Sequence, residues 1–171
     1  MGESPVIYRD LKKQYTSKYC FVCGEENASG LAARFYELGN HEIVAVFTGR
    51  PDHCSYPDRM HGGVISAMLD ETIGRAILID EPDVFGVTVD LSVQFKKPVP
   101  LETELRIVAR ITKNRSRLFE GTGELLLPDG TVAATGYGKY MKLSFEDITK
   151  NETGEELKFT TKPDDKTEIE L

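Results

Sequence analysis

A chain of 171 residues is long enough for one domain with a contiguous core, and 40% hydrophobic with 29% charged residues is the balance of an ordinary globular protein. No apolar run approaches the roughly 20 residues that cross a bilayer, and residues 1–11 hold Glu3, Arg9 and Asp10 where a secretory signal would be apolar, so a soluble cytoplasmic protein with no membrane partner is expected. The net charge of −7 excludes the broad basic surface that a nucleic-acid partner needs, and three cysteines, Cys20, Cys23 and Cys54, do not make a disulfide framework.

Residues 1–19 read as an N-terminal extension. Residues 31–36 and 43–47 alternate apolar and polar positions on either side of Leu38-Gly39-Asn40-His41, which predicts a strand, a turn and a second strand. Residues 49–60, with Pro51 and Pro57, show no period and form a long loop. Val64, Ile65, Met68, Leu69, Ile73, Ala76 and Ile77 then fall at helical spacing, predicting a largely buried helix over residues 64–79.

Four strand-like runs follow at residues 85–95, 102–112, 118–127 and 131–143, punctuated by Pro98-Val99-Pro100, Lys113-Asn114-Arg115 and Pro128-Asp129-Gly130. Residues 144–171 contain nine acidic and four basic side chains, so they carry −5 of the −7 and read as a solvated, flexible tail. Short links between the later strands suit antiparallel pairing. The expected fold is therefore α+β, with residues 20–143 forming one antiparallel sheet wrapped around one long central helix. Such a sheet leaves edges uncovered, so a homodimer or a dimer of dimers is expected.

Chemistry concentrates at the start of the helix. His61-Gly62-Gly63 lies where loop becomes helix, so its amides are expected to be free donors at the positive end of the helix dipole. With no side chain at Gly62 or Gly63, a carbonyl oxygen can approach the Gly63 amide; a tight turn with close packing explains the same glycines. Asp70 lies seven residues further on, almost two turns and about 10 Å along the same face. A carboxylate within an apolar helix costs free energy unless it is paired or used, which marks Asp70 as a general base or a nucleophile. Glu71 points about 100° away and is expected to pair with Arg75 at i, i+4 spacing. His61 is read as orienting the turn. The long rise from Gly63 to Asp70 suggests that each site takes its amide from one subunit and its carboxylate from another.

The run from His61 to Glu71 resembles the HGG-x6-D signature of PaaI-type hotdog thioesterases, and the resemblance extends over residues 20–143, including the strand at 85–98. It implies hydrolysis of an acyl-CoA thioester at a dimer interface, without a cofactor, with Asp70 as the catalytic carboxylate and Gly63 as the oxyanion donor. It also implies a hydroxyl at Thr88 near the attacking water, with His61 and Gly62 at the helix start and Glu71 beside the substrate. Some members have an asparagine or glutamine in the loop before the histidine, where this chain has Cys54-Ser55-Tyr56; Ser55 is then the substrate-facing residue there. Candidate cations for the phosphates of CoA are Lys96, Lys97, Arg115, Arg117 and Lys139, together with Lys113. The histidine and carboxylate pattern of hotdog dehydratases is not found. The alternative function is a non-catalytic acyl-CoA-binding hotdog domain, a sensor or scaffold that retains Asp70 for folding.

The Cys20-Phe21-Val22-Cys23-Gly24 segment resembles a leader found on some hotdog proteins. A CxxC pair with His53 and Cys54 invites zinc, but structural sites usually show two spaced pairs. No metal is expected, and the two cysteines read as small buried residues in a turn across the helix opening.

Overall fold

The computed structural model describes residues 5–149 and 166–171. In chain order the elements are β1 (Ile7–Arg9), β2 (Lys12–Lys13), β3 (Arg34–Glu37), β4 (Ile43–Thr48), a 3₁₀ turn (Pro51–His53), β5 (Cys54–Tyr56) and β6 (Arg59–Met60). Helix α1 (Gly62–Arg75) runs on as a 3₁₀ segment (Ala76–Ile79), followed by β7 (Val84–Phe95), β8 (Glu104–Asn114), β9 (Leu118–Leu126), β10 (Val132–Ser144), α2 (Phe145–Thr149) and β11 (Glu168–Glu170).

Seven strands form one antiparallel sheet in the order β2-β3-β4-β8-β9-β10-β7. Helix α1 lies on one face of it, with Ile65, Met68, Leu69 and Ile73 buried against Phe35, Ile107 and Leu125. Each such side chain contributes about 1.5–3 kcal/mol by leaving water. A seven-stranded antiparallel sheet packed on one long apolar helix is the hotdog arrangement, as the sequence led us to expect.

The helix sits close to the sheet because the sheet lacks side chains beneath it. A Cβ at Gly121 would lie 2.7 Å from Ile73 Cγ2, one at Gly123 3.0 Å from Ile73 Cγ1, and one at Gly136 3.1 Å from Ile73 Cδ1. Three glycines on β9 and β10 thus form the bed in which the middle of α1 rests.

The two flanking segments depart from expectation. The extension contributes β2 to the sheet edge and buries Gln14 and Thr16. Of the expected tail, Ser144 closes β10, residues 145–149 form α2, and β11 pairs antiparallel with β1, while residues 150–165 lie outside the described residues. Ile169 of β11 is buried with Tyr36, Val44, Val46 and Val108, a second cluster on the sheet face away from α1. This explains why β4 is buried on both faces rather than alternating. Among the described residues, no helix is long and apolar enough to cross a membrane.

Candidate active site

Asp70 stands in the middle of α1 and lines an open cleft of about 160 Å³ with Tyr15, Glu71, Arg75, Phe85, Thr88 and Tyr140. Two hydroxyls hold its carboxylate. Thr88, on β7, donates to both oxygens at 2.9 and 3.1 Å. Tyr140, on β10 and paired in register with Thr88, places its hydroxyl 3.1 Å from Asp70 Oδ1 and 3.0 Å from the Asp70 carbonyl oxygen. Partial burial pushes the Asp70 carboxyl above the usual aspartate range, while the two hydroxyls pull it back and Glu71 adds to the rise. Burial, followed by the Asp70 charge, pushes the Tyr140 phenol well up, so it stays protonated and donates.

The sequence reading missed Tyr140. Its ring stacks on Phe119 at 4.9 Å between centroids, and a Cβ at Gly74 would come within 3.2 Å of it. The available signal was the alternation of Gly136, Gly138 and Tyr140 along β10, which puts all three on the helix side of the sheet.

At the helix start, His61 is the N-cap: its Nδ1 accepts from the Gly63 amide at 2.8 Å, and its carbonyl from Val64 and Ile65. The Gly63 amide is therefore engaged, in contrast to the free donor expected from sequence. Neither glycine has a positive φ; space is what restricts them, since a Cβ on Gly63 would lie 3.0 Å from His61 Nδ1 and one on Gly62 3.4 Å from Phe95. Gly62 shares a second cleft, of about 290 Å³, with Ser55, Arg59, Phe95, Lys96 and Lys97.

The remaining candidate cations lie elsewhere in the single chain. The turn bearing Arg115 and Arg117 is tied to the far end of the helical segment, where the Arg117 carbonyl accepts from the Lys142 amide and Lys142 and Asn114 both reach Glu81. Lys139 alternates with the helix-facing Gly138 and Tyr140 and pairs across β9 and β7 with Glu120 and Asp90, on the opposite face of the sheet. Glu71 forms the expected pair with Arg75, Oε1 to Nε at 2.8 Å. The CxxC turn packs against this pair rather than at the helix opening. His53 lies apart from it, its ring nitrogens bonded to the Arg50 amide and the Ser29 carbonyl.

Residues 58–134 match the Thioesterase superfamily. An uncharacterised protein of Schizosaccharomyces pombe is 33% identical over 57% of this chain and 55% of its own length. The acyl-coenzyme A thioesterase THEM4 of Rattus norvegicus is 28% identical over 54% of this chain and 39% of its own. The chain thus spans about half or less of the curated relatives it matches. Among solved structures, the PaaI protein of E. coli superimposes with a TM-score of 0.60 at 15% identity, over 67% of this chain and 81% of its own. A Bacillus halodurans protein solved with CoA gives 0.54 at 26% identity, over 58% and 66%. The family match spans α1 and β7 to the start of β10, and the solved structures share the fold.

Proposed function

We propose that this chain hydrolyses an acyl-CoA thioester to the free acid and CoA, with Asp70 as the reacting carboxylate. The observation that carries this reading is the Asp70 carboxylate, set on a helix with a buried apolar face and held by two hydroxyl donors at the mouth of a cleft. The names of THEM4 and of the neighbour solved with CoA support CoA as the carrier.

As a general base, Asp70 takes a proton from water, the oxygen adds to the thioester carbonyl, and the carbon–sulfur bond breaks as the thiolate of CoA leaves with that proton. As a nucleophile, Asp70 attacks the thioester carbonyl, the carbon–sulfur bond breaks to release the CoA thiolate, and water then opens the anhydride to the free acid and Asp70, its proton going to the thiolate. In either route the substrate carbonyl oxygen replaces His61 Nδ1 on the Gly63 amide, which then holds the oxyanion at the helix N-terminus. His61 caps the turn until substrate arrives. Thr88 and Tyr140 fix the carboxylate, and Glu71 is fixed by Arg75. The chemistry uses side chains, an amide and water, and no cofactor is invoked.

Among the described residues, the Asp70 and Gly62 clefts of one chain share none. The strand that carries Thr88, β7, is at the sheet edge and exposes Val87, Val89 and Phe95. We take this edge as the dimer contact, so that one subunit's Asp70 faces the other's Gly63, in a homodimer or a dimer of dimers. Ser55, Lys96 and Lys97 then flank the CoA phosphates, joined by Arg115, Arg117 and Lys139 where the partner subunit brings them near.

The test is release of free CoA thiol from a panel of acyl-CoAs. Wild-type protein is expected to turn over at least one class, and Asp70→Asn to lose turnover at least 100-fold while keeping its melting temperature and CoA binding. Tight CoA binding by the wild type without thiol release across the panel would establish the sensor or scaffold function instead.

A further inference from the structure

Arg75 is 8% exposed, and its guanidinium is spoken for on every side. Nε bonds Glu71 at 2.8 Å, Nη1 the Tyr15 carbonyl at 2.8 Å, and Nη2 lies 3.2 Å from Cys23 Sγ, with the Phe35 ring 4.4 Å beneath. Cys23 Sγ also receives the Ser17 amide at 3.4 Å. A buried sulfur facing a permanent cation and an amide donor sits where an anion is stabilised.

Its neighbour is held for reaction with it. The amides of Val22 and Cys23 donate to Cys20 Sγ at 3.3 and 3.4 Å, and the Gly24 amide closes the turn on the Cys20 carbonyl at 2.8 Å. The two sulfurs and the Glu71 carboxylate lie within 4.8 Å of one another. Cys20 is half-buried and Cys23 buried. These three groups are also the only candidate metal cluster among the described residues. Arg75, however, already occupies two of the three donors, and a divalent cation would have to share that space with a guanidinium.

We infer that Cys20 and Cys23 form a reversible dithiol site that a low-molecular-weight disulfide oxidises to an intrachain Cys20–Cys23 bond. The neighbouring Cys20 thiol, with help from Arg75, lowers the Cys23 pKa to about 6, while the Cys23 sulfur and burial push the Cys20 thiol well up. Cys23 is buried, so the attack falls to the more accessible Cys20: in the minor form in which Cys23 carries the proton, the Cys20 sulfur attacks the incoming disulfide, forming a mixed disulfide and expelling one thiolate. Cys23 loses the proton to solvent and attacks the Cys20 sulfur, and the second thiolate leaves. Two protein thiols are oxidised, one external disulfide is reduced to two thiols, and no other reactant is needed. Because Arg75 stabilises the reduced form, the bond is one that glutathione readily reverses.

Full-length protein is incubated with oxidised glutathione, then alkylated and mapped by mass. The expected product is a Cys20–Cys23 linkage lighter by two hydrogens, reversed by reduced glutathione, with Cys54 outside it. Cys23→Ser is expected to halt at the first step and carry one glutathionyl group on Cys20. Arg75→Lys, which keeps the charge but loses the forked contacts, is expected to shift the equilibrium toward the disulfide by about tenfold. Native protein whose Cys20 and Cys23 stay fully alkylatable under conditions that glutathionylate Cys54 would overturn the inference. So would a stoichiometric zinc ion that protects both thiols until it is chelated.

Discussion

Tyr140→Phe removes one hydroxyl from the Asp70 carboxylate and leaves the ring stack on Phe119 in place. A hydrogen bond to a charged group contributes about 1.5–3 kcal/mol. The single Tyr140 proton is shared between Oδ1 and the Asp70 carbonyl, and the cleft is open to water, so the lower end applies. About 1.4 kcal/mol corresponds to one pKa unit. The donor favours the carboxylate, so its loss raises an Asp70 pKa that burial already holds high. The acid limb of kcat/KM for thiol release is therefore expected to move up by about one unit, with activity recovering at higher pH. Stability carries the same sign. A carboxyl whose folded pKa lies above its unfolded value contributes stability that is fully present below the unfolded pKa and lost as pH rises through the folded one. The variant loses more than the wild type over that window, so its deficit in urea unfolding grows toward neutral pH. An unmoved or lowered acid limb, or a deficit equal at acid and neutral pH, would refute the assignment of Tyr140 as the residue that positions Asp70.

Thr88→Val removes the other donor; because Thr88 is exposed on β7, the acid limb is expected to shift in the same direction but by less than for Tyr140→Phe in the same pH profile. His61→Ala deletes the N-cap at a cost of about 1 kcal/mol, read as a lower urea midpoint, yet releases the Gly63 amide, so thiol release is expected to persist. Gly121→Ala drives a methyl to within 2.7 Å of Ile73 Cγ2 and 2.8 Å of the Arg110 carbonyl, an overpacking expected to cost about 1–3 kcal/mol in chemical denaturation. Val89→Glu charges an exposed position of the β7 edge and is expected to yield monomers with depressed turnover in sedimentation and activity measurements at matched concentration.

The central helix was legible because Ile65, Met68, Leu69 and Ile73 repeat at helical spacing, and Asp70 stood out as the carboxylate that interrupts them. The Glu71–Arg75 pair followed from i, i+4 spacing alone. Long-range partners did not: Tyr140 lies 70 residues from Asp70, and Cys23 lies 52 from Arg75. Nothing local distinguishes such a tyrosine from an ordinary core aromatic until the β10–β7 register sets it opposite Thr88. The outer cluster was hidden for a related reason, since Val44 and Val46 are covered by Ile169, whose segment is dominated by charge. The capped state of Gly63 was equally out of reach, because a histidine before two glycines does not reveal which way its ring turns.

The bed of glycines under α1 makes tolerance at this interface directional. Depth of seating is fixed by atoms that are missing from β9 and β10, so the sheet side has no volume left to gain and the helix side has volume it can shed. An enlargement at Gly136, where the nearest atom is Ile73 Cδ1, is one that Ile73→Val can offset by withdrawing that carbon, whereas Ile73→Val by itself leaves a gap. The two changes together should cost less than the sum of each alone. In a lineage carrying this fold, the two positions would then drift as a pair, shrinking on one layer only when the other grows.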